Sequence, residues 1–523
     1  MLSYRKLAMR VLGRPLHTGG SDSPRPASQR AAALILTAAM LTTLTAPAFA
    51  KEWYIEEGDI TVRAGETEGT NKVSQGENPE VEDTNTVITN SDKDKASSNT
   101  VTIEAKDKDD KVEVTLKDVN IDTSSRSEAA VSVTGEGNTN IELDGDNALK
   151  SDIYSSGISS SGSLTISGGE NDSLTAQGGS GADGIYSSGS LAISGGTVTA
   201  NGGSGGGGDG GDGIWSSGGV TISGGSTVTA NGGDGKDDYG GDGIRSDSGD
   251  VTISGGSTVT ANGGNGGNVS GDGIRSDSGD VTISGGTVKA TGGDSKDGYG
   301  GDGIRSGGVV TISGNTVNAA GGNGGKVGGY GICSFDRVAI SGGTVNAAGG
   351  NGGKVGGDGI YSNDIDLSGS LELTAKAGSP NGKALSQNGK ELNLDTIKDK
   401  LGPGAKVTTT DADGKVNQVS VPRPVEPEEP VIPEESSSSS DGGSATPSAP
   451  ASPLPGLTVT DKDGQRISYT STQSGNTLTV CVGRLTASLR ASLATLRQLR
   501  AEGIDTITFQ TILCSTTLSV DEL

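Results

Sequence analysis

The sequence has few aromatic and large apolar side chains for its length. Only 3% of its 523 residues are Phe, Trp or Tyr and only 30% are hydrophobic, whereas 91 are Gly. A compact globular fold of this size needs more bulky side chains to fill its core. The glycines follow no strict three-residue period, which excludes a collagen helix. The chain is therefore either largely unfolded or a repeat structure that builds a thin core from Val and Ile.

Histidine and positive charge are also scarce. The single His is His17, which lies in the N-terminal segment that we interpret below as a targeting signal. Its loss on export would exclude Ser-His-Asp and Cys-His catalysis and His-ligated zinc. The formal net charge is −25. Because such an acidic chain repels phosphate backbones, we expect no nucleic-acid partner.

The first fifty residues have the pattern of a secretory signal peptide. A basic opening leads to apolar and small residues at 31–44 and then to Ala48-Phe49-Ala50. This pattern predicts export to the extracellular space or the cell surface. No later run reaches the roughly 18 apolar residues of a membrane span, and we find no cell-wall sorting motif. In an oxidising compartment Cys481 and Cys514 could pair, which would leave Cys333 as the odd cysteine.

A repeat of 27 to 30 residues dominates the middle of the chain. Each repeat contains Gly-Ile-x-Ser, then a segment ending in Ser-Gly, then a Val-containing segment and a Gly-rich stretch. Every segment alternates apolar residues with Thr or Ser, the period of a strand with one buried face. Three strands per repeat predict a right-handed parallel β-helix in which equivalent residues stack about 4.8 Å apart. We expect the glycines to turn its corners with positive φ. The repeated Ile occupies positions 158, 185, 214, 244, 274, 304, 332 and 360.

The rest of the chain divides by composition. We predict a β-rich N-terminal cap with degenerate coils at 51–148, regular coils of about 28–30 residues at 149–379 and a C-terminal exit at 380–421. Residues 422–455 are rich in Pro, Ser and Glu and predict a linker. Residues 456–523 predict a small α+β module, whose helix is indicated by a stripe of leucines. The stripe comprises Leu485, Leu489, Leu493, Leu496 and Leu499.

Two runs outside the regular repeat, at 114–122 and 140–147, add a family resemblance. Together with the repeated Asp-Gly-Ile and Ile-Ser-Gly-Gly, they resemble secreted β-helix proteins of gut and cellulolytic Firmicutes. Proteins of that kind are described as carbohydrate-binding and include a pectin- and cellulose-binding member that contains calcium. The resemblance covers roughly residues 85–375, the span of the repeat pattern. It implies a polysaccharide-binding β-helix, with no individual calcium ligand carried over.

An aspartate precedes Gly-Ile in most repeats, so the β-helix would stack these carboxylates. Stacked carboxylates repel one another unless a cation or hydrogen-bond donors intervene. Calcium takes six to eight oxygens from carboxylates and carbonyls, and the column is therefore a candidate calcium site. The alternative is that each carboxylate accepts hydrogen bonds from its own turn. The column comprises Asp183, Asp212, Asp242, Asp272, Asp302 and Asp358.

The residue after each repeated Ile points outward, because the Ile itself points inward. This outward column contains aromatic rings, which stack on sugar faces, and Arg side chains, which pair with carboxylates or hydroxyls. The alternative is a structural ladder in which Arg245 and Arg275 pair with Asp247 and Asp277. The candidate carbohydrate-binding residues are Tyr186, Trp215, Arg245, Arg275 and Arg305.

These patterns predict an exported, non-catalytic β-helix that binds polysaccharide, such as an acidic plant or cell-wall glycan, along a lateral face. One alternative is a surface adhesin for protein or host-cell partners. Another is a calcium-dependent polysaccharide lyase with an Arg or Lys base. A lyase should have a long irregular loop over one coil, whereas these repeats are nearly uniform, so we expect no enzymatic activity.

Overall fold

The structure is a computed structural model that describes residues 51–422, apart from residue 68, and parts of 457–519. Within 457–519 it leaves out 461–466, 468, 475–476, 483–486, 492–498, 501–503, 505 and 511–514. The predicted signal peptide, nearly all of the predicted linker and Cys514 therefore lie outside the described residues. The chain divides into two units, Met1–Glu426 and Pro427–Leu523. In the described parts of both units, no helix is long and apolar enough to cross a membrane.

The first unit is a β-solenoid of about 13 turns, which confirms the predicted β-helix. Coils pair in parallel and in register, so that Ile244 lies between Ile214 and Ile274 in the ladder. Each regular coil contributes to three ladders, which we call sheets A, B and C in chain order. Sheet A contains the Gly-Ile-x-Ser segments, sheet B the segments that end in Ser-Gly, and sheet C the Thr-Val segments.

The strand bounds follow the repeat. Sheet A contains Ile60–Ala64, Val101–Glu104, Val131–Thr134, Ile158–Ser160, Ile185–Ser187, Ile214–Ser216, Ile244–Ser246, Ile274–Ser276, Ile304–Ser306 and Leu385–Gln387. Sheet B contains Lys51–Tyr54, Thr86–Thr89, Lys111–Lys117, Asn138–Asp144, Val220–Ser223, Val251–Ser254, Val281–Ser284 and Val310–Ile312. Sheet C contains Asn120–Asp122, Asp146–Lys150, Thr227–Asn231, Thr258–Asn262, Thr287–Thr291, Thr316–Ala320 and Lys406–Thr410. Four longer strands continue around corners: Ser163–Ser180 and Leu191–Gly203 through sheets B and C, and Ile332–Ala348 and Ile360–Lys376 through all three.

The core is a set of stacked columns inside this tube. In one coil, Ile244 and Ile253 are fully buried and Val259 is 1% exposed. The Ser of the Gly-Ile-x-Ser motif also points inward, and Ser276 is 1% exposed. Its hydroxyl donates to the carbonyl of Gly249 in the preceding coil, at 3.0 Å. The motif therefore needs a small hydroxyl at this position to satisfy a buried carbonyl.

The glycines turn the corners for two different reasons. Between sheets B and C, Gly255 and Gly256 have φ of +66° and +78°, which confirms the prediction of positive φ at that corner. In the long corner between sheets C and A, at 232–243, no glycine has positive φ, so the prediction is wrong there. A Cβ on Gly241 would lie 2.0 Å from the carbonyl oxygen of Gly211. Glycine is required at position 241 because the backbone of the preceding coil lies too close for any side chain.

Antiparallel strands close both ends of the ladder. At the N-terminal end, Ile60–Ala64 pairs with Asn71–Gln75, which pairs with Val81–Asp83. At the C-terminal end, Lys406–Thr410 pairs with Val416–Ser420. Such caps keep the parallel ladder from exposing a continuous edge to other chains. The remaining elements of this unit are the strand Lys390–Glu391 and the 3-10 turns Ile55–Glu57, Leu394–Thr396 and Lys398–Lys400.

The second unit contains two small sheets. Leu457–Thr460 pairs with Ser488–Ala491, and a four-stranded sheet has the order Thr470–Ser474, Thr477–Cys481, Thr506–Gln510 and Ser515–Ser519. The predicted Leu-stripe helix is wrong over 488–491, where Leu489 lies opposite buried Val459 in a strand pair. Tertiary pairing overrides the local helical pattern at this position. Leu499 is helical and buried, whereas Leu485, Leu493 and Leu496 lie outside the described residues.

Candidate functional site

The outward column forms as the sequence indicates. Tyr186, Trp215, Arg245, Arg275 and Arg305 are successive register partners in sheet A. Each follows a buried Ile and precedes a buried Ser, so its side chain is partly exposed on the outer face. The structure therefore brings the five predicted residues together on one lateral strip of the solenoid.

The aromatic end of this strip is a ring pair. The ring centroids of Tyr186 and Trp215 lie 4.5 Å apart with their planes inclined at 43°. The indole Nε1 of Trp215 donates to Asp247 at 3.0 Å, and the Tyr186 hydroxyl lies 2.9 Å from that of Ser188. These contacts fix the orientation of both rings and leave them partly open to solvent.

The arginine end of the strip is neutralised by aspartates. Arg245 contacts Asp247 and Asp277 at 3.0 Å each, and Arg275 contacts Asp277 at 2.6 Å. The pairing that the structural alternative predicts, of Arg245 with Asp247 and of Arg275 with Asp277, is thus present. Arg305 lies with its guanidinium carbon 5.1 Å from the ring centre of Phe335. An acidic glycan would therefore have to compete with partners that the protein already supplies.

The aspartate column lies immediately beside the arginines and links the coils. The Oδ1 of Asp242 accepts the backbone N–H of Asp272 at 2.6 Å, and Asp272 accepts that of Asp302 at the same distance. Asp183 and Asp358 bond in the same way to Asp212 and to Lys383. The alternative to calcium predicts that each carboxylate accepts hydrogen bonds from its own turn, whereas these bonds come from the next coil.

Burial changes the acidity of this column. Desolvation, together with the charge of Asp272, raises the pKa of Asp242 from 3.8 to about 7, although Arg275 opposes the shift. The pKa of Asp302 rises to about 7 for the same reasons, with Asp272 and Arg305 as the neighbouring charges. The Oδ2 of Asp272 accepts no hydrogen bond, and its nearest cation is Arg275 Nη1 at 3.6 Å. The second oxygen of Asp272 is therefore compensated by the charge of Arg275 and by no hydrogen bond, whereas that of Asp302 accepts a hydrogen bond from Arg305 Nη1 at 3.4 Å.

The same geometry does not fit a calcium ion. Within the described residues, no group of three or more Asp, Glu, His or Cys side chains converges as a metal site. One oxygen of each column aspartate is taken by a backbone amide, as shown for Asp242 and Asp302. A calcium ion needs six to eight oxygens around one point, whereas the column supplies one carboxylate per coil. The structure therefore gives the predicted calcium site no support.

Two aromatic features lie outside the predicted site residues. Tyr330, which interrupts the aspartate column, stacks on Tyr361 of the outward column with centroids 5.0 Å apart and planes at 17°. Tyr239 and Tyr299 are about half exposed on the long corner between sheets C and A. The repeated Tyr-Gly-Gly at 239–241 and 299–301 was the available signal for the second feature.

One cavity of the solenoid lies away from these residues. It is a shallow groove of about 710 Å³ beside the early part of sheet C, where Lys150, Gln177 and Ile153 line it. Lys150 is already paired with Asp122 at 2.9 Å. None of the predicted site residues lines this groove.

Comparison with known proteins supports the fold. Residues 220–244 and 281–304 each match the family model described as a Beta helix repeat. Both segments contain one sheet B strand and continue to the Ile of the next sheet A strand. No curated protein and no solved structure gives a significant match. The β-helix part of the family resemblance is thus supported, whereas its carbohydrate-binding part stays a prediction.

Proposed function

We propose that this chain is an exported, non-catalytic β-solenoid that binds polysaccharide along a lateral face. The observation that carries the proposal is the partly exposed Tyr186–Trp215 ring pair on a regular β-surface. Aromatic rings of this kind supply a rigid apolar platform with a polar edge, which suits the apolar face and the hydroxyls of a sugar. Export follows from the signal-peptide pattern of the first fifty residues.

The charge arrangement favours an uncharged glycan over an acidic one. The guanidinium groups of Arg245 and Arg275 are already paired with Asp247 and Asp277. The chain as a whole carries −25, which repels a polyanion. The acidic plant glycan that the sequence analysis named is therefore the less favoured ligand.

The arginines of the outward column also argue against a lyase. Burial lowers the pKa of Arg275, but Asp242 and Asp272 raise it by more, so its pKa lies above the ordinary value. A guanidinium held in the charged form is a poor general base. This observation supports a non-catalytic role for the arginines of the outward column.

The proposal is tested by a glycan array with the exported chain, followed by titration of each positive glycan against variants. Trp215→Ala should weaken binding about tenfold, as expected for the loss of an exposed aromatic contact, and leave the melting temperature nearly unchanged. Tyr154→Ala is the matched control, because Tyr154 is 85% exposed and lies outside the outward column. No binding to any glycan would refute the proposal, and equal effects of the two variants would remove Trp215 from the site.

A further inference from the structure

The long corner between sheets C and A carries a second, separate column of side chains. Its members are successive parallel bridge partners in five coils, so they stack about 4.8 Å apart. We call this column the Tyr/Val stripe, which consists of Tyr239, Val269, Tyr299, Val327 and Val355.

The stripe is more exposed than the outward column. Tyr239 is 53% exposed, Tyr299 50% and Val355 42%. Within the described residues, the hydroxyls of Tyr239 and Tyr299 make no hydrogen bond, whereas the Trp215 indole is tied to Asp247. An apolar row of this length on a solvent-exposed protein surface indicates an interaction site.

The spacing of the two rings identifies the kind of ligand. Tyr239 and Tyr299 are two coils apart, which is about 9.6 Å. This distance is close to two sugar units of an extended chain. In a straight β-1,4-linked glycan every second sugar presents the same face, so two rings at this interval would meet equivalent faces. The intervening Val269 would face the sugar that is turned the other way.

We propose that the Tyr/Val stripe binds an uncharged, extended β-1,4-linked glycan lying parallel to the solenoid axis. This inference rests on the proposed polysaccharide-binding function and assigns it a second track with a defined linkage. It requires only stacking and hydroxyl contacts, because the stripe itself carries no charge.

The surroundings of the stripe fit a narrow polysaccharide better than a protein. On one side lie the glycines of the corner, such as Gly240 and Gly300, which leave the rings accessible. On the other side lie exposed Asp238, Asn268 and Lys326, a mixed set that can bond hydroxyls without favouring one sign of charge. A stable protein interface buries about 800 Å² per partner, which a row one residue wide does not provide.

The test is calorimetric titration of the exported full-length chain with cellohexaose, xylohexaose and mannohexaose. Laminarihexaose and trigalacturonate serve as curved and acidic comparisons. At least one straight β-1,4 hexaose should bind, and Tyr239→Ala or Tyr299→Ala should each weaken it about tenfold. Tyr239→Phe should bind like the parent, and Tyr154→Ala is the surface control. A disaccharide of the same linkage cannot reach both rings, so Tyr299→Ala should reduce the hexaose affinity toward that of the disaccharide.

The outcomes separate this inference from the proposed function. If a hexaose binds the parent and both tyrosine variants equally, the stripe is not the track, although polysaccharide binding stands. The same conclusion follows if only curved or acidic glycans bind, or if Trp215→Ala alone abolishes binding. If no glycan on the array binds the parent, both the function and the stripe are refuted.

Discussion

The first coils and the regular coils are held together by different electrostatics. Between the first coils, residues of opposite charge face one another in register, as Lys150 faces Asp122 and Arg63 faces Glu104. Between the regular coils, identical residues face one another, so Asp242 follows Asp212 in the same column. Exact repetition stacks like charges, and the fold offsets them with backbone amide donors, inserted arginines and raised pKa values that favour the protonated carboxyl.

The ion pairs of the first coils and the aspartate column of the regular coils have pKa shifts of opposite direction. Burial raises the pKa of Glu104, but hydrogen bonds and charge from Arg63 lower it by more, so the net shift is downward. Asp59 behaves in the same way beside Arg126. In the aspartate column desolvation dominates, and the pKa of Asp183 rises to about 6. The stabilising contribution of the first-coil ion pairs is therefore lost as the pH falls, and that of the column carboxyls is lost as the pH rises.

The largest effect should come from the close-packed glycines of the regular coils. Gly241→Ala places a Cβ 2.0 Å from the Gly211 carbonyl oxygen, and the overpacking should destabilise the solenoid by about 3 kcal/mol. Gly207→Ala is the matched control, since no atom lies within 4 Å of its added Cβ. Thermal melts followed by circular dichroism compare the two. Equal melting temperatures would show that the corner relaxes and that close packing is not why glycine occurs there.

The second-largest effect should be the difference in stability loss between arginine variants of the two regions. Arg275→Ala removes the cation nearest to Asp242, Asp272 and Asp277 and should cost about 2 kcal/mol at pH 8, because buried carboxylates lose their partner. Arg63→Ala breaks an ion pair of a side chain that is 42% exposed and should cost less than about 1 kcal/mol. Chemical denaturation of both variants measures the difference. A larger loss for Arg63→Ala would reverse the comparison.

The sequence was sufficient to predict the stacked sheets of the solenoid. It was not sufficient to predict every partner that compensates the charge of the buried aspartates. Alternation and the 27–30-residue period located the three sheets, since each inward Ile or Val must meet its counterpart. The pairing of Arg275 with Asp277 was also foreseeable from their two-residue spacing. The acceptor role of Asp242 toward the next coil was not, because it depends on backbone direction at the corner. The Leu-stripe helix was mispredicted around Leu489, because pairing with Val459 overrides local periodicity.

The aspartate column should make the regular coils less stable as the pH rises. The folded pKa of Asp242, about 7, lies above its ordinary value of 3.8. Its contribution is therefore fully present below pH 4 and is lost as the pH rises through 7. The melting temperature should fall by several degrees between pH 5 and pH 8. A melting temperature that rises over this range would contradict the assignment.

A double variant distinguishes two causes of the pH dependence of the melting temperature, namely the aspartate column and the overall negative charge of the chain. Asp242→Asn with Asp272→Asn keeps an oxygen that can accept the next amide, as Asn265 and Asn323 do in an outer column of the same solenoid. The double variant should show a flatter dependence of melting temperature on pH, because two titrating groups are removed. An unchanged slope would assign the pH dependence to the net charge.

Calcium should have the smallest effect on the melting temperature. Its effect is the sharpest test of how the charges of the aspartate column are compensated. A cation that binds only the folded state raises the melting temperature by linkage. Because Arg275 and Arg305 already lie against the second carboxylate oxygens of Asp272 and Asp302, an added cation would find its ligands occupied. We therefore expect the melting temperature at pH 8 to be equal in millimolar calcium and in excess chelator. A clear rise with calcium in the parent that disappears in the Asp242→Asn and Asp272→Asn variant would instead show that the ion shares the column with the arginines.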